Sequence, residues 1–112
     1  MKQVIAIIPP HRLEEVETAL HRLEHFPGFT LLRAHGHPRG AGPRHAFHED
    51  WNPDGINEFV LMIFCADSQA QEITDTICSA AHTGNPHDGL IAVSDIANVT
   101  RIRGGQSGNA AV

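Results

Sequence analysis

The chain has 112 residues, 41% of them hydrophobic and 19% charged, which suits one globular domain with a single hydrophobic core. Its formal net charge of −5 argues against a nucleic-acid-binding protein, and no apolar run approaches the roughly 20 residues of a membrane-spanning helix. We therefore expect a cytoplasmic protein without membrane insertion, whose Cys65 and Cys78 are buried thiols rather than a disulfide.

The first half of the chain predicts a strand, a helix and a second strand. Residues 4–8 form a short apolar run, long enough for one buried strand. Apolar residues then recur at helical spacing, namely Leu13, Val16, Leu20 and Leu23. Pro27 and Gly28 end this helix, and residues 29–34 predict the second strand.

The second half repeats this order. Residues 59–66 predict a strand, and Asp67 or Ser68 then caps a helix. The inward positions of that helix are Ile73, Ile77 and Ala81. Residues 90–96 are rich in β-branched side chains and predict the fourth strand.

Two strand–helix–strand units of this length predict a single α+β domain over residues 1–112. Its four strands form one antiparallel sheet with both helices on one face, the split βαβ arrangement. No part of the chain remains to cover the opposite face of the sheet. We therefore expect self-association through that face.

A long segment, residues 36–57, separates the two halves. It contains four glycines, three prolines, three histidines and the only tryptophan. A segment of this length without regular structure is usually functional or disordered. We expect a loop that projects from the sheet between the second and third strands.

A glycine-containing loop, residues 83–89, follows the second predicted helix. Arg101 and Arg103 lie two residues apart, so they would share one face of a strand. Backbone N–H groups facing two guanidinium groups make a phosphate-binding site. Because the loop follows a helix, the loop amides and the arginines must supply the affinity, not a helix N-terminus.

Several segments together resemble the PII signal-transduction proteins of nitrogen regulation. They are Met-Lys-x-Val-x-Ala-Ile-Ile-x-Pro at the start, Leu13-Glu14-Glu15-Val16, Ala81-His82-Thr83-Gly84, Asp88-Gly89, Arg101-Ile102-Arg103 and the final Ala110-Ala111-Val112. The resemblance implies a ferredoxin-like fold, a homotrimer and adenine-nucleotide sites in the clefts between subunits. It also implies that the loop over residues 36–57 regulates a membrane transporter or an enzyme.

The resemblance implies which residues surround ADP, AMP or ATP. They are Gly36, His37 and Arg39 at the base of the long loop, Thr83, Gly84, Asp88 and Gly89 in the phosphate loop, and Arg101 and Arg103. His87 stands where the family has a glycine, and we add it to the site because a protonated imidazole can contact phosphate. Residues 97–112 form a C-terminal loop and tail, and its small polar residues 106–109 are expected to be mobile unless a bound nucleotide orders them.

The chain departs from this family at charged and modifiable positions. Asn85 and Leu90 stand where such proteins carry lysines, so the site has less positive charge for a triphosphate. We expect ADP or AMP to bind better than ATP, and protonated His82 and His87 to replace part of the lost charge. The chain has no tyrosine, which excludes uridylylation or adenylylation of that side chain.

The chain contains nine histidines, and several of them flank the long loop. Histidine is a common metal ligand, so these residues indicate a second kind of site. A hypothetical Zn or Cu site uses His35, His37, His45, His48 and Glu49. Their spacing matches no closed zinc motif, so solvated histidines are the alternative.

Two function classes remain open. One is a regulatory protein that senses adenine nucleotides, with a vestigial site as its weaker variant. The other is a metal-responsive protein of heavy-metal tolerance, suggested by a resemblance to divergent PII-like proteins and to the CutA architecture. We do not expect an enzyme, because no nucleophile–base pair or carboxylate dyad is visible.

Overall fold

The computed structural model describes residues 1–36 and 57–112. Its strands and helices are β1 (Lys2–Ile8), α1 (Leu13–His21), β2 (Thr30–His35), β3 (Asn57–Cys65), α2 (Asp67–Ala81) and β4 (Leu90–Asp95), with short 3-10 helices at Pro10–Arg12 and Gly108–Ala111. The six predicted elements are confirmed, and five of them begin and end within two residues of their predicted ends. The exception is α1, which ends at His21 and not at the predicted Pro27 and Gly28. Neither helix in this part of the chain is long and apolar enough to cross a bilayer.

The four strands form one antiparallel sheet in the order β2-β3-β1-β4. Strand β1 lies between β3 and β4, so each half of the chain contributes one central and one edge strand. This order, with both helices on one face, is the predicted ferredoxin-like arrangement.

The core lies between the sheet and the two helices. Alternate residues of β1 and β3 face the helices and are at most 2% exposed, because successive side chains of a strand point to opposite faces. The core residues are Val4, Ala6, Ile8, Leu61, Ile63 and Cys65 from the strands and Val16, Leu20, Ala70, Ile73, Ile77 and Ala81 from the helices. The predicted inward positions of both helices are therefore confirmed.

The opposite face of the sheet is apolar and uncovered in the single chain. Leu32, Phe64 and Leu90 are 47%, 37% and 60% exposed there. Ile5 and Ile7 lie between them, paired across the strands with Met62 and Val60 and only partly buried. Exposed apolar area of this extent marks an interaction surface.

Two sequence predictions are wrong in α2. Ala66 rather than Asp67 or Ser68 precedes the helix, and its N–H donates to Oε1 of Gln69 at 3.2 Å. Cys78 is exposed, because it lies next to the buried Ile77 on the helix and points away from the core. The predicted buried thiol is confirmed only for Cys65.

The C-terminal residues fold back on themselves instead of extending freely. Thr100 pairs with Ser107, and the N–H of Gly108 donates to the carbonyl oxygen of Val99 at 3.0 Å. Nε of Arg101 donates to the carbonyl oxygen of Ala111 at 2.7 Å, and Ala111 is 2% exposed. These bonds hold the tail that the sequence predicted to be mobile.

Candidate functional site

The phosphate loop crosses the end of β1 immediately after α2. Gly89 has φ +102°, and a Cβ at this position would overlap the carbonyl oxygen of Ile7. Gly84 has φ +85° but faces open space. Glycine is therefore required at position 89 for both conformation and close approach, and at position 84 for conformation alone.

The carboxylate of Asp88 lies inside the loop. Its Oδ2 accepts hydrogen bonds from the N–H groups of Thr83 at 2.8 Å and Gly84 at 3.0 Å, and Oδ1 accepts one from the Thr83 hydroxyl. The Thr83 hydroxyl bond is the main cause that lowers the pKa of Asp88, followed by the backbone bonds. The loop therefore carries a negative charge of its own.

The remaining loop amides also have internal acceptors. The N–H of Asn85 donates to the Thr83 hydroxyl at 3.2 Å, and the N–H of His87 donates to Oδ1 of Asn85 at 3.1 Å. The N–H of Asp88 donates to the carbonyl oxygen of Asn85 at 3.1 Å. The described N–H groups of Thr83, Gly84, Asn85, His87 and Asp88 therefore already have acceptors within the loop. The prediction that these N–H groups are free to bind phosphate is wrong for this conformation.

An open cleft of about 570 Å³ lies beside this loop. Its wall includes His82, Asp88 and Cys78, and Nδ1 of His82 lies 3.5 Å from Oδ2 of Asp88. The rest is mostly apolar and comes from β1, α2, the phosphate loop and β4, namely Ile7, Ile8, Ile77, Ser79, Ala81, Gly89, Leu90 and Ile91. An apolar cleft with a few polar groups at one end is suited to a small ligand.

The two arginines lie elsewhere. Arg101 and Arg103 are in and beside a turn rather than on a strand, so the prediction that they share a strand face is wrong. They line a cleft of about 560 Å³ with Met62 and Phe64 of the uncovered sheet face, and a further cleft of about 620 Å³ with Gln106. Within one chain, neither arginine lines the cleft of the phosphate loop.

The two clefts occupy opposite edges of the sheet. The phosphate loop joins α2 to the edge strand β4, whereas the arginine cleft includes Thr30 of the other edge strand, β2. One chain therefore presents a loop half-site at one edge and an arginine half-site at the other. A head-to-tail contact between two copies can bring unlike halves together.

The other predicted site residues are only partly described. Gly36 follows β2, and the carboxylate of Glu58 occupies the space that a Cβ there would need. His37 and Arg39 lie outside the described residues, as do His45, His48 and Glu49 of the hypothetical metal site. His35 is exposed at the end of β2, and residues 1–36 and 57–112 contain no group of three metal ligands.

Sequence reasoning missed the apolar walls of both clefts. Ile7 and Leu90 are cross-strand partners on the open sheet face, and Met62 and Phe64 lie on the same face. Strand alternation placed these side chains on one face, but the clefts depend on how the loop and the C-terminal turn fold over that face. Only the structure provides that information.

The chain is similar to known proteins over nearly its whole length. A family model described as Nitrogen regulatory protein P-II matches residues 1–106. Nitrogen regulatory protein P-II 2 of Methanothermobacter thermautotrophicus is 34% identical over 113 aligned positions that cover 100% of this chain and 97% of the relative. Nitrogen regulatory protein P-II of Azospirillum brasilense is 34% identical, and Nitrogen regulatory protein GlnK of Escherichia coli is 32% identical, with both chains of each pair fully covered.

Proposed function

The chain belongs to the family of P-II nitrogen regulatory proteins, and from this premise we propose that it binds an adenine nucleotide between the subunits of a homotrimer. Members of the family are regulatory signal transducers rather than enzymes. The nucleotide state would be transmitted to a partner protein, a membrane transporter or an enzyme, through the loop over residues 36–57. The described residues contain no feature that favours the metal alternative, which stays a prediction.

The separation of the two half-sites carries this proposal. Asp88 and Gly89 of the phosphate loop line the apolar cleft at one edge of the sheet, and Arg101 and Arg103 line the cleft at the other. A nucleotide held by both would have its base against apolar side chains and its phosphates between the loop and a neighbour's guanidinium groups. Gly36, His37, Arg39, His87 and Asp88 complete the proposed site.

The uncovered sheet face supports the homotrimer. Its residues Leu32, Phe64 and Leu90 are large, apolar and exposed in the single chain. A ring of three copies buries these faces against one another and places each loop half-site beside an arginine half-site of the next copy. The interface and the nucleotide site would thus form together.

The charge of the site supports a preference for ADP or AMP over ATP. Asn85 and Leu90 supply no ammonium group, and Asp88 adds a carboxylate to the loop. Arg101 and Arg103 are the two fixed positive charges of the proposed site that the structure describes. A ligand with fewer phosphate charges therefore faces less repulsion.

Calorimetric titration of the protein with ATP, ADP and AMP tests the binding and its rank order. A mixing experiment tests the shared site, with His87→Glu on the loop side and Arg103→Glu on the arginine side. Each variant alone should lose binding, because the new carboxylate repels phosphate. After the two are unfolded and refolded together, about one quarter of the interfaces should contain neither substitution and bind again. Recovery of no sites would contradict a site shared between subunits.

A further inference from the structure

We infer that the Asp88 carboxylate acts as a fixed internal anion that sets the phosphate-charge selectivity of the loop. This inference rests on the proposed function, because it concerns the same cleft. It assigns Asp88 a role other than direct contact with the nucleotide. The carboxylate takes the place of a ligand phosphate oxygen on the loop amides and repels the phosphates that bind beside it.

The first support is the number and arrangement of the donors around Asp88. Two consecutive backbone N–H groups, from Thr83 and Gly84, converge on one oxygen at 2.8 and 3.0 Å. Convergent N–H groups on successive residues are a typical anion-binding arrangement of the backbone. Here the anion belongs to the protein, and the Thr83 hydroxyl binds its second oxygen.

The second support is the location of this carboxylate. The side chain of Asp88 is 22% exposed and lines the apolar cleft, so one side of it faces the space where a ligand would lie. The apolar walls from β1 and β4, including Ile7 and Leu90, provide no positive charge to offset it. His82 is the cationic partner when it is protonated, at 3.5 Å, and its side chain is 74% exposed.

The third support is the absence of lysine from the loop itself. Residues 83–89 contain no lysine or arginine, and Leu90 follows them. The loop side of the cleft therefore carries a net negative charge while His82 and His87 are neutral. Because Coulomb repulsion grows with ligand charge, ATP is penalised more than ADP, and ADP more than AMP.

The test replaces the charge of Asp88 while keeping its shape. In Asp88→Asn the amide oxygen can still accept a loop N–H, but the negative charge is lost. The matched control is Glu72→Gln, which removes the same charge from an exposed position of α2 that does not line the cleft. Titration of both variants and the wild type with AMP, ADP and ATP measures the selectivity.

We expect Asp88→Asn to raise the affinity for ATP by about tenfold and that for AMP by about threefold, with the difference shrinking as salt is added. Glu72→Gln should leave all three affinities within about twofold, because an exposed charge outside the cleft is screened. If Asp88→Asn instead lowers all three affinities equally, or leaves their ratios unchanged, Asp88 is structural and the inference is overturned.

Two outcomes separate this inference from the proposed function. If the wild type binds no nucleotide but Asp88→Asn does, nucleotide sensing by the native chain is wrong while charge exclusion by Asp88 stands. If neither binds, both are overturned. Should Asp88→Asn fail to fold, Asp88→Ser removes the same charge and keeps a hydroxyl acceptor for the loop amides. The same change in selectivity is then required of that variant.

Discussion

The guanidinium group of Arg12 donates two hydrogen bonds to the carbonyl oxygen of Ala80, at 3.1 Å from Nε and 2.6 Å from Nη2. Ala80 lies in the last turn of α2, where carbonyl oxygens have no partner within the helix and the helix dipole is negative. The side chain of Arg12 is 25% exposed, so these bonds are partly shielded from water. They fix the end of the helix that leads into the phosphate loop.

We therefore predict that Arg12→Met lowers the free energy of unfolding by about 2 kcal/mol, because a charged hydrogen bond is lost while most of the apolar stem remains. Chemical denaturation measures the change. Arg22→Met is the control, since Arg22 is exposed at the end of α1 and its loss should cost less than about 0.5 kcal/mol. Equal effects of the two substitutions would show that Arg12 has no special role.

The two loop glycines make a second matched pair. Gly89→Ala should destabilise the fold by about 3 kcal/mol or more, because the new Cβ overlaps the Ile7 carbonyl oxygen in a left-handed conformation. Gly84→Ala adds a Cβ in open space and should cost only about 1 kcal/mol of conformational strain. Thermal unfolding of both variants checks this order, and a larger loss for Gly84→Ala would contradict it.

The fold followed from the sequence because its signals are local and periodic. Strand alternation and helical spacing placed Val4, Leu20, Ile73 and Ile77 in the core, where they lie. Cys78 was misplaced because apolar character alone does not reveal which side of α2 a residue occupies. The helix cap was missed because Gln69 acts from three residues further along.

The site was less predictable, because it depends on contacts across the loop and between chains. The glycines of the loop were evident, but the engagement of its amides by Asp88 requires a specific loop conformation. The separation of Arg101 from the loop follows from a turn that the sequence analysis took for a strand. Residues 83–89 and the two arginines are close in the sequence, but in one folded chain they therefore form two separate half-sites.

Histidine protonation gives a prediction on pH. The titratable groups that line or border the loop cleft are His82, His87, Asp88 and Cys78. Histidine is the side-chain type that changes charge near neutral pH, so protonated imidazole groups add positive charge beside Asp88 and the ligand as the solution becomes more acidic. Affinity for ADP should therefore rise as pH falls, and rise less in a His82→Asn, His87→Asn double variant.

Calorimetric titration of ADP at pH 6, 7 and 8 measures this effect. Protonation of the nucleotide itself is common to wild type and variant, so the difference between the two proteins reports on the histidines. His25→Asn is the control, since His25 lies outside the cleft and Asn tolerates its φ of +56°. Parallel pH profiles for the wild type and the double variant would refute the prediction.

The lowered pKa of Asp88 predicts a specific acid sensitivity. The Thr83 hydroxyl is the main cause of the lowered pKa, so the ionised form is favoured in the folded state. The resulting stability is fully present above the unfolded pKa of about 3.9 and is lost as pH falls through the lower, folded pKa. Below about pH 4, stability should therefore fall less steeply in Asp88→Asn than in the wild type. Denaturation at pH 3, 4 and 6 checks this, and identical slopes would contradict it.

The two cysteines should differ sharply in reactivity. Cys65 is fully buried, and burial raises the pKa of its thiol, whereas Cys78 is exposed on the wall of the loop cleft. A colourimetric disulfide reagent should label one thiol per native chain rapidly and the second only after unfolding, and Cys78→Ser should abolish the rapid phase. Because Cys78 lines the proposed nucleotide cleft, saturating ADP should slow its labelling by about tenfold. Labelling of Cys78 that ADP leaves unchanged would place the nucleotide away from this cleft.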